Sequence, residues 1–130
     1  MRLLNVLLFL TLIAAAVSDI YMYAGMKAMV LCENNPVTAK VEILAAGDTE
    51  ADHKKLASVF MKNGALETVI MMSGDPLYFL RIWHKCGKCQ DHMDTAVVAK
   101  GDQYKNGFDN AANMPFNYGT IEMSECRQYG

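Results

Sequence analysis

The segment LYFLRIWH (77–84) limits the fold more than any other stretch of this chain. Read as a strand, it sets Tyr78, Leu80 and Ile82 on one face and Phe79, Arg81 and Trp83 on the other. AKVEIL (39–44) alternates in the same way, with Ala39, Val41 and Ile43 opposed to charged Lys40 and Glu42. MKAMVLC (26–32) reads as a strand before it, and ENNP (33–36) as the turn that joins the two. LETVIMM (66–72), closed by SGDP (73–76), then DTAVVA (94–99) and YGTIEM (118–123), complete the series. Short strands punctuated by turns, without a strong run of long helices, predict an all-β sandwich or barrel.

One segment supports two readings. DTEADHKKLASVFMKNG (48–64) fits a helix, with Asp48 as cap, Leu56, Val59 and Phe60 on one side and Gly64 as the stop. It also fits a strand, LASVFMK (56–62), turning at Asn63-Gly64 into ALETVIMM (65–72) as a two-residue hairpin.

The N-terminus bears on compartment. Arg2 precedes the apolar run LLNVLLFLTLIAAAV (3–17), and Ala16 and Ser18 occupy the small-residue positions before Asp19. The pattern predicts a signal peptide over 1–18, cut after Ser18, and the apolar run is shorter than the roughly 20 residues a membrane span requires. The expected mature chain, 19–130, is one domain without a transmembrane anchor. With 12 basic against 14 acidic residues overall, the charge offers no footprint for nucleic acid or a polybasic membrane surface. Four cysteines, Cys32, Cys86, Cys89 and Cys126, form an even set in a small secreted domain, which predicts two disulfides. No Asn-x-Ser/Thr acceptor occurs, so N-linked glycan is not expected.

The stretch HKCGKC (84–89), with His92 just beyond, is the densest chemical motif. A redox Cys-x-x-Cys draws its low thiol pKa from a helix N-terminus, whereas this one lies between strands. His84, Cys86, Cys89 and His92 supply two nitrogens and two sulfurs, a donor set that tetrahedral zinc accepts. Ligands so crowded would have to wrap tightly, and an oxidising exterior competes for the thiols, which favours a disulfide staple. Trp83 beside Arg81 forms a candidate patch for a ligand or partner, set against the plainer role of a half-buried sandwich tryptophan. Met71 and Met72 read as core filler before an adaptable apolar site, and His53 with Lys54 and Lys55 as a solvated loop. No Ser-His-Asp or paired-carboxylate constellation stands out, and no catalytic residue, metal or cofactor is assigned.

These segments, in this order, resemble the nematode transthyretin-like family of secreted proteins. The points of contact are a first strand ending in Leu31-Cys32, a turn with Pro36, AKVEIL (39–44), YFLRIWHKC (78–86), Cys89 shortly after, and NYGTIEMSEC (117–126). The chain departs from the family in its short Gly87-Lys88 loop, in Asn117 where an acidic residue is common, and across MKNGALETV (61–69). The resemblance implies a transthyretin-like (prealbumin-like) two-sheet sandwich of about seven strands, and a strand over 56–62.

In such a fold the ends of the strands carrying Cys32 and Cys86 and the C-terminal tail share one pole, so all three cysteine pairings are open. The reading leans to Cys86 with Cys89 and Cys32 with Cys126, the latter closing a loop of roughly 95 residues worth up to about 4 kcal/mol.

The implied function is a secreted, non-enzymatic extracellular or cell-surface binding or signalling protein. Its ligand would be a lipid, a small hydrophobic molecule or a cell-surface partner, and its state monomer or dimer. The related fold also hosts a hydroxyisourate hydrolase, which relies on histidine, arginine and a terminal Tyr-Arg-Gly-Ser. Here the chain ends ECRQYG (125–130), and Met29, Val30, Leu31 and Cys32 offer no first-strand histidine. The alternatives, such a hydrolase or a zinc or redox protein using His84, Cys86, Cys89 and His92, are therefore disfavoured.

Overall fold

A computed structural model describes residues 21–98 and 104–127. The expected signal segment 1–18 and its cleavage point lie outside these residues. Among them the chain forms nine strands, one turn of 3-10 helix and one short α-helix. The strands are β1 (Tyr21–Cys32), β2 (Asn35–Pro36), β3 (Ala39–Ala45), β4 (Lys54–Met61), β5 (Ala65–Ser73), β6 (Tyr78–Trp83), β7 (His92–Asp94), β8 (Tyr104–Lys105) and β9 (Phe116–Glu122). The 3-10 turn is Glu50–Asp52 and the helix, α1, is Phe108–Asn113.

Two sheets result, so the all-β reading holds. The first is centred on β1, which pairs antiparallel with β2, β5 and β8 and parallel with β9. Parallel pairing needs a crossover. The second sheet runs β4-β3-β6-β7, antiparallel throughout.

The period-two pattern sorts side chains as expected. Ala24, Met26, Ala28 and Val30 of β1 face Val41 and Ile43 of β3 and Tyr78, Leu80 and Ile82 of β6 across one buried core. Met93, Ile121 and Met123 are buried in the same core. Fully burying an aliphatic side chain of this size stabilises by about 1.5–3 kcal/mol, so this cluster is the main force holding the sheets together.

The ambiguous segment is a strand from Lys54 onward, and only Glu50–Asp52 turns helically. Asn63 and Gly64 both take positive φ, 54° and 77°, as a two-residue turn requires, and Lys62 bridges Ala65 across it. This turn corrects the expected hairpin: β4 belongs to the second sheet and β5 to the first, so the chain crosses the sandwich there. Gly64 fixes the crossing, because its N–H donates to the Val37 carbonyl and its carbonyl accepts from the Val30 N–H.

Three other expectations shift. The strand placed over 94–99 is β7, ending at Asp94; Thr95 and Val98 still donate main-chain bonds to Leu80 and Tyr78, while Ala99 lies outside the described residues. His53 is not solvated loop but half-buried, its Nδ1 accepting from the Gly47 N–H at 2.9 Å, and Lys54 and Lys55 open β4. Of the paired methionines, Met72 is core, while Met71 points out to solvent.

Candidate functional site

The outer face of the second sheet carries Arg81 and Trp83, as the alternation predicts. Cross-strand register sets Lys40 beside Trp83 and Glu42 beside Arg81, with Asp94 and His92 opposite them on β7. The loop between β3 and β4 then folds back over this face and brings Glu50 down onto Arg81. Arg81 is consequently only 8% exposed although it lies on an outer face.

Its guanidinium is gripped from two sides. Nε and one terminal nitrogen donate to Asp94 Oδ1 and Oδ2 at 2.7 and 2.9 Å. The terminal nitrogens also donate to Glu50 Oε1 and Oε2 at 2.7 and 3.0 Å. Bidentate pairs of this kind are the strong class of charge-assisted hydrogen bond. They raise the proton affinity of Arg81, the bonds to Asp94 contributing most, and hold Glu50 below the ordinary carboxylate range, chiefly through its bond from Arg81. A ligand anion would have to displace both carboxylates, so the arginine acts as a clasp between loop and sheet.

Trp83 is likewise engaged. Its indole N–H donates to Glu42 Oε1, Lys40 Nζ stands 5.7 Å from its ring, and His92 packs against it at 4.9 Å between centroids. Across the same row, Phe60 at the edge of the sheet is 73% exposed. Arg81 and Trp83 thus share a face, but their polar handles are spent within the protein.

The motif HKCGKC resolves into a tight reverse turn. Cys86 and Cys89 exchange main-chain bonds, N–H to carbonyl at 3.0 and 2.8 Å, around Gly87 with φ 54°. From this turn the sulfurs part company: Cys86 bonds Cys32 at the end of β1, and Cys89 bonds Cys126 in the C-terminal segment. The expected pairing of Cys86 with Cys89 and Cys32 with Cys126 is therefore corrected. The reason is local, since the Gly87-Lys88 turn lies flat on residues 124–126. The Lys88 N–H donates to the Ser124 carbonyl at 2.8 Å, Lys88 Nζ pairs with Glu125 at 2.8 Å, and a side chain at Gly87 would collide with the Ser124 carbonyl. That contact presents Cys89 to Cys126, while Cys86 faces β1. With every sulfur in a disulfide, Cys86 and Cys89 are no thiolate ligands for His84 and His92.

A concavity lies on the outer face of the first sheet. Helix α1 packs across the outer face of the first sheet at Gly25, where a Cβ would strike the Ala111 carbonyl. Glycine inside a strand often marks such close approach. Ala111 is wholly buried in the contact, and Phe108 meets the Tyr23 ring edge-on at 6.3 Å. Between α1 and β5 this leaves an open cleft of about 360 Å³ lined by Glu67, Thr68, Val69, Phe108, Ala112 and Pro115. Through Glu67 it adjoins a second trough of about 290 Å³ that reaches Lys27, Met29 and Thr120. The cleft's lining is largely apolar at the helix end, and at the other Glu67 stands opposite Lys27 of the adjoining trough in the strand register. None of these cleft residues was singled out from the sequence; Gly25 within an otherwise regular strand was the available signal.

No family model and no curated protein matches this chain. A solved structure it resembles is a 9R-lipoxygenase from Cyanothece PCC8801, at 14% identity and a TM-score of 0.40. The alignment covers 82% of this chain but 17% of that one, and a likeness at this level carries no argument about fold family or function. Among the described residues no helix is long and apolar enough to cross a membrane. Two disulfides are compatible with a secreted protein.

Proposed function

We propose that the protein is a secreted, non-enzymatic binding protein of the transthyretin-like kind, acting outside the cell on a small hydrophobic molecule. The observation that carries this reading is the cleft between α1 and β5, whose volume of about 360 Å³ falls within the range of small-ligand sites. Its helix end offers Phe108, Val69 and Ala112 as apolar wall, and its far end offers Glu67, with Lys27 in the adjoining trough, for orientation. The two-sheet sandwich, its disulfides and the order of its cysteine-bearing segments support the family reading.

Titration of the purified protein with a neutral apolar dye such as Nile red tests the site. Phe108→Ala and Val69→Glu are expected to weaken binding at least about tenfold, since burying one large apolar side chain is worth about 1.5–3 kcal/mol. Phe60→Ala, on the opposite sheet, is expected to leave binding unchanged. Equal affinity in all four proteins would overturn the assignment of the cleft.

A further inference from the structure

The tripeptide Lys-Asn-Gly occurs twice, at 62–64 and 105–107, and the fold treats the two copies differently. Asparagine is a thermally labile residue, because the main-chain nitrogen that follows it can attack its side-chain amide. Glycine in the next position leaves that nitrogen unshielded, since it carries no Cβ. Asn63 and Asn106 are both exposed, and the residues on either side of them are the same. What separates the two is the setting of the glycine nitrogen.

At the first copy that nitrogen is held. The Gly64 N–H donates to the Val37 carbonyl at 2.8 Å, and the Gly64 carbonyl accepts from the Val30 N–H at 2.8 Å. Gly64 is buried where the chain crosses between the sheets, and a Cβ added to it would lie 2.7 Å from the Val30 carbonyl oxygen. Turning the Asn63–Gly64 peptide toward the Asn63 amide would break both bonds in a place with no room to swing. At the second copy the nitrogen is open. Asn106 and Gly107 form a bend between β8 and α1, and a Cβ added to Gly107 would meet no atom within 4 Å. Among the described residues the Gly107 N–H has no main-chain partner, and only its carbonyl is engaged, by the Ala111 N–H at 3.0 Å.

We infer that Asn106 is a site of spontaneous deamidation through a succinimide, and that the fold protects Asn63 from the same reaction. The Gly107 nitrogen gives up its proton to hydroxide and bonds to Asn106 Cγ; the Cγ–Nδ2 bond breaks, and the amide leaves as ammonia. Water then opens the ring at one carbonyl or the other, giving aspartate or isoaspartate. Both products add one negative charge at the entry to α1. Isoaspartate also places one more carbon in the main chain, two residues ahead of Phe108.

Ageing of the purified folded protein in warm, mildly alkaline buffer tests this, with peptide mapping by mass spectrometry to read amide-to-acid conversion at each asparagine. Asn106 is expected to convert at least about tenfold faster than Asn63, the difference that loss of two main-chain hydrogen bonds imposes on the slower site. In the reduced chain unfolded in urea the two rates should become equal. Gly107→Ala, at a position with extended φ of −150° and open space, is expected to fold normally and to slow conversion at Asn106 alone. Absence of conversion at Asn106 in the folded protein, Asn63 keeping pace with it, or an unchanged rate in Gly107→Ala would overturn the inference.

Discussion

Arg81 illustrates what a single residue does in this protein and what the sequence could reveal of it. Period-two alternation was enough to place it outward beside Trp83. Its partners were hidden, because Glu50 lies 31 positions away on a loop whose return depends on how β3, β4 and β6 are ordered. Replacing Arg81 with Met would leave Asp94 and Glu50 facing each other across the clasp. Both can recover water, so the expected loss is about 1–3 kcal/mol rather than the full cost of a buried unpaired charge, read from the urea midpoint. Glu122 makes a second residue-scale case. Its carboxylate accepts main-chain N–H groups, Asn34 foremost, then Ser124 and Glu33, which lowers its pKa from 4.5 to about 2. A depressed carboxylate pKa contributes stability that is complete above the unfolded value and is lost as pH falls through the folded one. Unfolding measured from pH 6 to 2 should therefore show stability falling below about pH 4.5, and Glu122→Gln should flatten that limb. An unaltered acid limb in the variant would contradict this role.

At the scale of elements, strands were legible and their company was not. β3 and β6 follow directly from alternation, β5 from an apolar, β-branched run closed by turn residues, and Asn63-Gly64 announces its turn because few other dipeptides accept two positive φ values. Which sheet each strand joins depends on contacts between segments far apart, so the turn that looked like a hairpin proved to be a crossing between sheets. Helix α1 left even less trace: FDNAAN (108–113) is shorter than two helical turns, and one alanine is its buried face. Its seat is made by Gly25. Gly25→Ala should push α1 off β1, at a cost of about 1–3 kcal/mol typical of overpacking, and should abolish dye binding in the cleft. Thermal unfolding with the dye titration checks both, and wild-type binding in this variant would separate the cleft from the helix contact.

For the whole molecule, the decisive feature is how the HKCGKC turn ties the sandwich together. One disulfide joins it to the end of β1, with Cα atoms 5.9 Å apart and a separation of 54 residues; the other joins it to the C-terminal segment, at 5.0 Å and 37 residues. In the chain-entropy picture, loops of this size stabilise by about 4 kcal/mol each. The sequence indicated that all four cysteines act as staples at one pole, but not the pairing, because that is settled by the fit of Gly87 and Lys88 against Ser124. The central claim is that this motif is architecture and not a reactive or metal-binding centre. Tryptic digestion of the unreduced protein tests it most directly, since cleavage after Lys88 separates Cys86 from Cys89. Mass spectrometry should find the Cys32 peptide linked to the Cys86 peptide and the Cys89 peptide linked to the Cys126 peptide, with no free thiol. A Cys86–Cys89 bond, or free thiols accompanied by stoichiometric zinc, would contradict it.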